Sequence, residues 1–277
     1  MTTPEFSAFA EMERRSWSDG TRASGYVELF ASAPDQAIER LLDAAGAHGD
    51  LRVLDLCCGQ GNVSEALLRR GCRVVGVDFS PAMLAFARQR ARTATFIEAD
   101  AQDLPFNDAE FDLVVSNLGV CHIPDQPRAL AEIRRVLHSN GRFAMTVWCG
   151  PESSPCFASV YAAIKEHGDP GVCAPSGPDF HQFARRDVAV KLLSAARFSN
   201  IEVTTVDCAW NLNAPEDLFE IYAKGTVRAA MLLSNQPPEN LAAIRSALTN
   251  TVRKKFSSGG RWSVPVPAAL VRATASR

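Results

Sequence analysis

Between residues 51 and 148 the chain alternates short apolar runs with amphipathic ones, and this rhythm restricts the fold more than any other feature. "RVLDLC" leads into "NVSEALLRRG", and "CRVVGVD" leads into "SPAMLAFARQRA". "TATFIEAD", "FDLVVSN", "QPRALAEIRRVLHSNG" and "RFAMTVW" follow. Strands that alternate with helices at this spacing form βαβ units and a parallel sheet buried on both faces. The sequence therefore predicts an α/β fold with helices on both faces of a doubly wound sheet. Ser80 is placed to cap a helix whose first position is Pro81. Leu130, Ile133 and Leu137 fall on one helical face, with Gly141 predicted as the stop.

Residues 5–47 read as helical, with Ile38, Leu41 and Leu42 on one face, Pro34 near the start and Gly46 near the end. After Trp148 the rhythm breaks. Helices are expected over 156–167 and 185–196, around the loop "GDPGVCAPSGPD". "NIEVTTVDCAW" reads as a sixth strand, and 214–256 as mostly helical with an interruption at "NQPP". "RWSVPVPAALVRATAS" supplies a last strand, whose prolines predict an edge position or a bend. The expected organisation is a helical lid over 1–50, a core over 51–150, and the remainder of the sheet with helical cap insertions over 151–277, all in one structural domain.

The net charge of −2 and the absence of a basic run argue against a nucleic-acid partner. "MTTPEFSAFAEMERRSW" has no apolar core of the signal-peptide kind, and no apolar run approaches a membrane span. The expectation is a cytoplasmic protein without a membrane partner. Its eight cysteines, at 57, 58, 72, 121, 149, 156, 173 and 208, form no CxxC pair. They read as reduced, mostly buried thiols with no metal site.

Sheets of this kind bind ligands outside the carboxyl ends of their strands. Asp55, Asp78, Asp100 and Asn117 all fall at such ends. Gly59 and Gly61 let the backbone approach a ligand at a helix N-terminus. A dinucleotide fingerprint would place a third glycine where Ser64 stands, and Asp55 would face its pyrophosphate with like charge. A cationic ligand resolves that conflict. S-adenosylmethionine carries an ammonium and a sulfonium and no phosphate.

Residues 51–150 resemble the core of the class I S-adenosylmethionine-dependent methyltransferases, especially the small-molecule type of ubiquinone and menaquinone biosynthesis. "VLDLCCGQG" is similar to that family's first motif, "GVDFSPAMLAFAR" to its second strand and helix, "ADAQDLPFNDAEFDLVVSN" to its third loop and fourth strand, and "LAEIRRVLHSNGRFAMTVW" to the next helix and fifth strand. Cys57 departs from the glycine or alanine usual at its position. The resemblance implies a Rossmann-like, mostly parallel seven-stranded sheet with a helical cap. It also implies methyl transfer from S-adenosylmethionine to O, N or C of a small-molecule acceptor.

The same resemblance implies site roles. Asp78 would accept the ribose hydroxyls, Phe79 and Met83 would flank the adenine, and Asp100 and the Ala101 N–H would bond its edge. Asn117 and Leu118 would face the methionine part, and Asp55, Cys57, Gly59 and Gly61 complete the expected cofactor-binding set. Tyr26, with Trp17, would belong to a helix folded over the cofactor. His122 is the candidate general base, with a loop-shaping histidine as the alternative, and His181 is a weaker candidate. Phe157, Phe180, Phe183, Trp210, Phe219 and Tyr222 either line an apolar acceptor pocket or form the core of the cap. Three other readings compete. Methylation of arsenite or another soft centre would need converging thiolates. A non-catalytic cofactor-binding module and a hydride-transferring dehydrogenase are the others.

Overall fold

The computed structural model describes residues 6–258 and 260–276. The expected helical start at residue 5 lies outside the described residues. The main sheet has seven strands in the order β3-β2-β1-β4-β5-β10-β6. β1 (Arg52–Leu56), β2 (Arg73–Asp78), β3 (Thr95–Glu98), β4 (Phe111–Asn117) and β5 (Leu137–Trp148) run parallel, as the alternation predicts. β10 (Ala268–Ala275) runs antiparallel between β5 and β6 (Phe198–Val206).

Helices cover both faces. α3 (Ile38–Ala45) and α4 (Asn62–Arg69) pack Leu41, Leu42, Val63 and Leu67 on one face, against Val53, Leu113 and Val115. α6 (Gln126–Val136) and α8 (Arg186–Ala195) pack Leu130, Ile133 and Leu193 on the other, against Leu54, Val114 and Phe143. α5 (Pro81–Arg90) begins where the sequence places it, with the Ser80 hydroxyl accepting from the Met83 N–H.

The amino-terminal helical stretch is broken into α1 (Ser7–Trp17), α2 (Gly20–Gly25), a π-helical turn (Tyr26–Phe30), a 3-10 turn (Pro34–Ala37) and α3. The break at Asp19 is a capped one, its carboxylate accepting from the Thr21 N–H. Arg22 then donates to the carbonyls of Ala223 and Lys224, which ties α2 to the end of α9 (Asp217–Gly225).

Three expectations are corrected. Gly141 does not stop α6, because the helix ends at Val136 and leads straight into β5. Asn140 turns left-handed (φ 64°), and Gly141 sits inside a bulge where the β4–β5 register slips. The expected sixth strand breaks at Asp207 and Cys208, so Ala209–Leu212 becomes β7 of a separate three-stranded sheet. The last segment also divides, into β9 (Arg261–Pro265) of that small sheet and β10. Pro265 and Pro267 make the bend between them, and β10 is an interior strand with no edge exposed to solvent. The small sheet, which also includes β8 (Ser257–Ser258), packs with α7 (Pro155–His167), α9 and α11 (Pro238–Lys255) around Trp148, Trp210 and Val264. α10 (Arg228–Ser234) completes this cap.

Candidate active site

A cavity of about 510 Å³ opens at the carboxyl ends of β1, β2 and β4 and runs beneath α1 and the cap. Its lining includes Tyr26, Asp55, Cys57, Gly59, Asp78, Phe79, Met83, Asp100, Ala101, Asn117, Leu118 and His122. The sequence-derived residues therefore converge, with one exception. Gly61 does not line the cavity. It is left-handed (φ 83°), and a Cβ there would lie 3.0 Å from the Ala87 Cα, so this glycine seats α4 against α5. Gly59 is the opposite case. It too is left-handed (φ 52°), yet a Cβ would meet nothing within 4 Å, because the space above it is the cavity.

Asp78 ends β2 and is buried. Its two oxygens accept from the Gly59 and Ser80 N–H groups, each at 2.9 Å. Burial raises its pKa against those hydrogen bonds. Asp55, 1% exposed at the end of β1, accepts from the Ser64 hydroxyl at 2.6 Å. Burial, with Asp78 adding to it, pushes the Asp55 carboxyl up to about 7. Ser64 thus occupies the third-glycine position with a side chain committed to Asp55, which leaves a pyrophosphate poorly served there. Asp35, also in the lining, is raised by burial as well. The cavity lining thus holds three carboxyls whose pKa burial raises.

Cys57 adopts a left-handed conformation (φ 56°), uncommon for a non-glycine residue. It faces Gly119, where a Cβ would lie 2.3 Å from the Cys57 Cβ. Leu118 is left-handed too (φ 60°), and its N–H donates to Thr146. Asn117 spends its side chain on the Pro34 carbonyl and the Thr146 hydroxyl. Its role here is to tie the 3-10 turn of the lid to β4 and β5.

α1 lies over the cofactor loops. Arg14 pairs with Asp100 at 3.1 Å and stands over the Phe79 ring. The Trp17 carbonyl accepts from the Ser80 hydroxyl at 2.6 Å. Tyr26 meets Trp17 edge-on and stacks on Phe30. His122, in a 3-10 turn after β4, bonds through Nδ1 to Glu13 of α1 at 2.9 Å. Sequence reading did not single out Glu13. An acidic residue on an amphipathic helix 109 positions from its partner carries no local signal.

The aromatic residues divide. Phe157, Phe180 and Tyr222 line the cavity, together with Phe30, Trp148 and Tyr161. Phe183 packs in the core between sheet and α8, while Trp210 and Phe219 form the core of the cap. His181 also lines the cavity but is bonded at both nitrogens, to the Trp148 carbonyl and the Tyr161 hydroxyl. It shapes the wall. The cysteines do not assemble a soft-metal site. Among the described residues no group of three or more His, Cys, Asp or Glu side chains could hold a metal ion. Burial drives the Cys57 and Cys58 thiols well up and Cys156 to about 12, so these are neutral.

A family model described as a methyltransferase domain matches residues 54–145. A malonyl-[acyl-carrier protein] O-methyltransferase of Pectobacterium atrosepticum is 37% identical over 123 residues, 44% of this chain and 49% of that protein. A demethylmenaquinone methyltransferase of Thermus thermophilus is 39% identical over 128 residues, 44% of this chain and 58% of that protein. The chain spans about half the length of the curated relatives it matches. The fold is shared with an N-methyltransferase of Haemonchus contortus crystallised with phosphomonomethylethanolamine and S-adenosylhomocysteine, at a TM-score of 0.60 and 19% identity, over 99% of this chain and 61% of that one. Residues 54–145 thus match a methyltransferase-domain model, and the chain shares the Rossmann-like fold of a solved N-methyltransferase.

Proposed function

We propose that the cavity binds S-adenosylmethionine and that the protein transfers its methyl group to an apolar small-molecule acceptor. The observation that carries this reading is Asp55, a buried carboxyl raised to about 7 beside Asp78, with the Ser64 hydroxyl as its partner and no ion pair among the described residues. A ligand bearing an ammonium and a sulfonium supplies what is missing. The open space above Gly59 supports the same fit.

When bound, S-adenosylmethionine supplies a methyl group already activated for in-line displacement. Asp78 holds the ribose, fixed in place by the Gly59 and Ser80 N–H groups. Phe79 and Met83 offer the adenine an apolar slot, and Asp100 an acceptor. Phe30, Trp148, Phe157, Phe180 and Tyr222 exclude water and position an apolar acceptor. His122 stands between the two regions as the proton acceptor where the acceptor must lose a proton.

The reading includes a cytoplasmic protein that acts on neither nucleic acid nor membrane. The net charge of −2 supports this, as does the finding that no helix among the described residues is long and apolar enough to cross a membrane. The test is calorimetric titration with S-adenosylhomocysteine and, separately, NAD. Micromolar binding of the first and none of the second is expected. A folded protein that fails to bind S-adenosylhomocysteine overturns the reading, and NAD binding in its place would favour a dehydrogenase.

A further inference from the structure

α1 does more than cover the cavity. Glu13 is 2% exposed, and one of its oxygens serves both the Trp17 indole N–H and His122 Nδ1, each at 2.9 Å. Its other oxygen is buried without a protein partner, so its hydrogen bonds go only to Trp17 and His122. A carboxylate only accepts, so Nδ1 must carry the proton of that hydrogen bond. In the neutral ring the lone pair then lies on Nε2, and the ring's other polar neighbour is the Cys121 side chain.

The ring is otherwise enclosed by aromatics. Trp17 and Phe180 meet it edge-on, with centroids at 5.6 and 5.4 Å. The titratable groups facing it are Glu13 on α1, Cys121 beside it, and Asp78 at the end of β2. α1 is itself fastened to the cofactor loops by Arg14–Asp100 and by Ser80 to the Trp17 carbonyl.

We propose that Glu13 is a positioning residue for the methyl transfer of the preceding section: it holds His122 as the Nδ1–H tautomer, with Nε2 left as the proton acceptor facing the cavity. As the sulfonium–methyl bond breaks and the acceptor–methyl bond forms, the acceptor's proton passes to Nε2. The sulfonium charge is lost as an imidazolium charge appears, and Glu13 compensates it. Burial alone would depress the imidazole. Cys121 and Glu13 outweigh that, and His122 is raised well above its ordinary value, so the Nε2 acceptor form is populated on the alkaline side of that titration.

The test is nitrogen-15 NMR of the histidine-labelled protein saturated with S-adenosylhomocysteine, since ring nitrogen shifts report tautomer and titration together. The wild type should keep Nδ1 protonated throughout and lose the Nε2 proton only as pH rises through a raised pKa. Glu13→Gln keeps an oxygen for Trp17 but removes the charge. It should lower the His122 pKa by about one unit or more, a tenfold or greater loss of proton affinity. An Nε2–H tautomer or an ordinary imidazole titration in the wild type overturns the proposal, as does an unchanged pKa in Glu13→Gln. The wild-type result decides even where the variant fails to fold. Failure of S-adenosylhomocysteine to bind would instead sink the methyltransferase reading.

Discussion

Binding of S-adenosylmethionine should expel a proton, and Asp55 should be its source. In the free protein burial raises this carboxyl from 3.8 to about 7. At pH 6 it is therefore about 90% protonated, and at pH 7 about half. A cation seated beside it restores the carboxylate. The complex should then release about 0.9 proton at pH 6, about 0.5 at pH 7 and almost none at pH 9. By linkage, affinity should weaken about eightfold for each pH unit below 6 to 7. Calorimetry in phosphate and in Bis-Tris separates proton release from binding heat, because the two buffers take up protons with different heats. Asp55→Asn cannot ionise. It should lose this component and, at pH 8, bind about ten- to a hundredfold more weakly, equivalent to roughly 1.4–3 kcal/mol of charge-assisted interaction. Equal heats in both buffers at pH 6 would refute the reasoning. So would an Asp55→Asn protein that still releases as many protons as the wild type, since the source would then be another carboxyl such as Asp35 or Asp78.

The same residue has a signature without ligand. A raised carboxyl contributes stability below its unfolded value of 3.8, and that contribution is lost as pH rises toward about 7. Asp55→Asn should accordingly gain more stability over wild type at pH 8 than at pH 5, by about 2–3 kcal/mol in denaturant melts. Asp78→Asn should weaken S-adenosylhomocysteine about ten- to a hundredfold while a thermal melt shows the protein folded; an affinity within threefold of wild type would remove Asp78 from the ribose site. Gly119→Ala should destabilise by roughly 1–3 kcal/mol, because its Cβ meets the Cys57 Cβ at 2.3 Å. Cys57→Gly should relieve the left-handed strain and most of that clash, and a double-mutant cycle with additive effects would contradict the contact.

Much of the strand-end half of the cavity was legible in the sequence because its determinants are local. Strand ends at Asp55, Asp78 and Asn117 follow from the apolar period, and the Ser80–Pro81 cap from two adjacent residues. The aromatic half was not. Phe157 and Tyr222 line the cavity while Trp210 and Phe219 fill the cap, and nothing in their spacing separates the two groups. The bulge that carries Gly141 within β5 depends on strand register, which only β4 supplies. The Glu13–His122 bond depends on where a broken helical segment settles, and its partners are 109 residues apart.

The place of β10 bears on how the protein is made. It pairs with β5 on one side and β6 on the other, yet Ala268 follows Val206 by 62 positions. During synthesis β5 and β6 leave the ribosome with a strand-wide gap between them. Their unpaired amides and carbonyls are a template for wrong partners until residues 268–275 arrive. β1 to β5 can assemble as they emerge, each beside an earlier neighbour or, for β4, beside β1. The second half of the sheet has to wait. A stalled or cleaved chain lacking β10 would carry the strand-end residues of the cavity and still present two aggregation-prone edges.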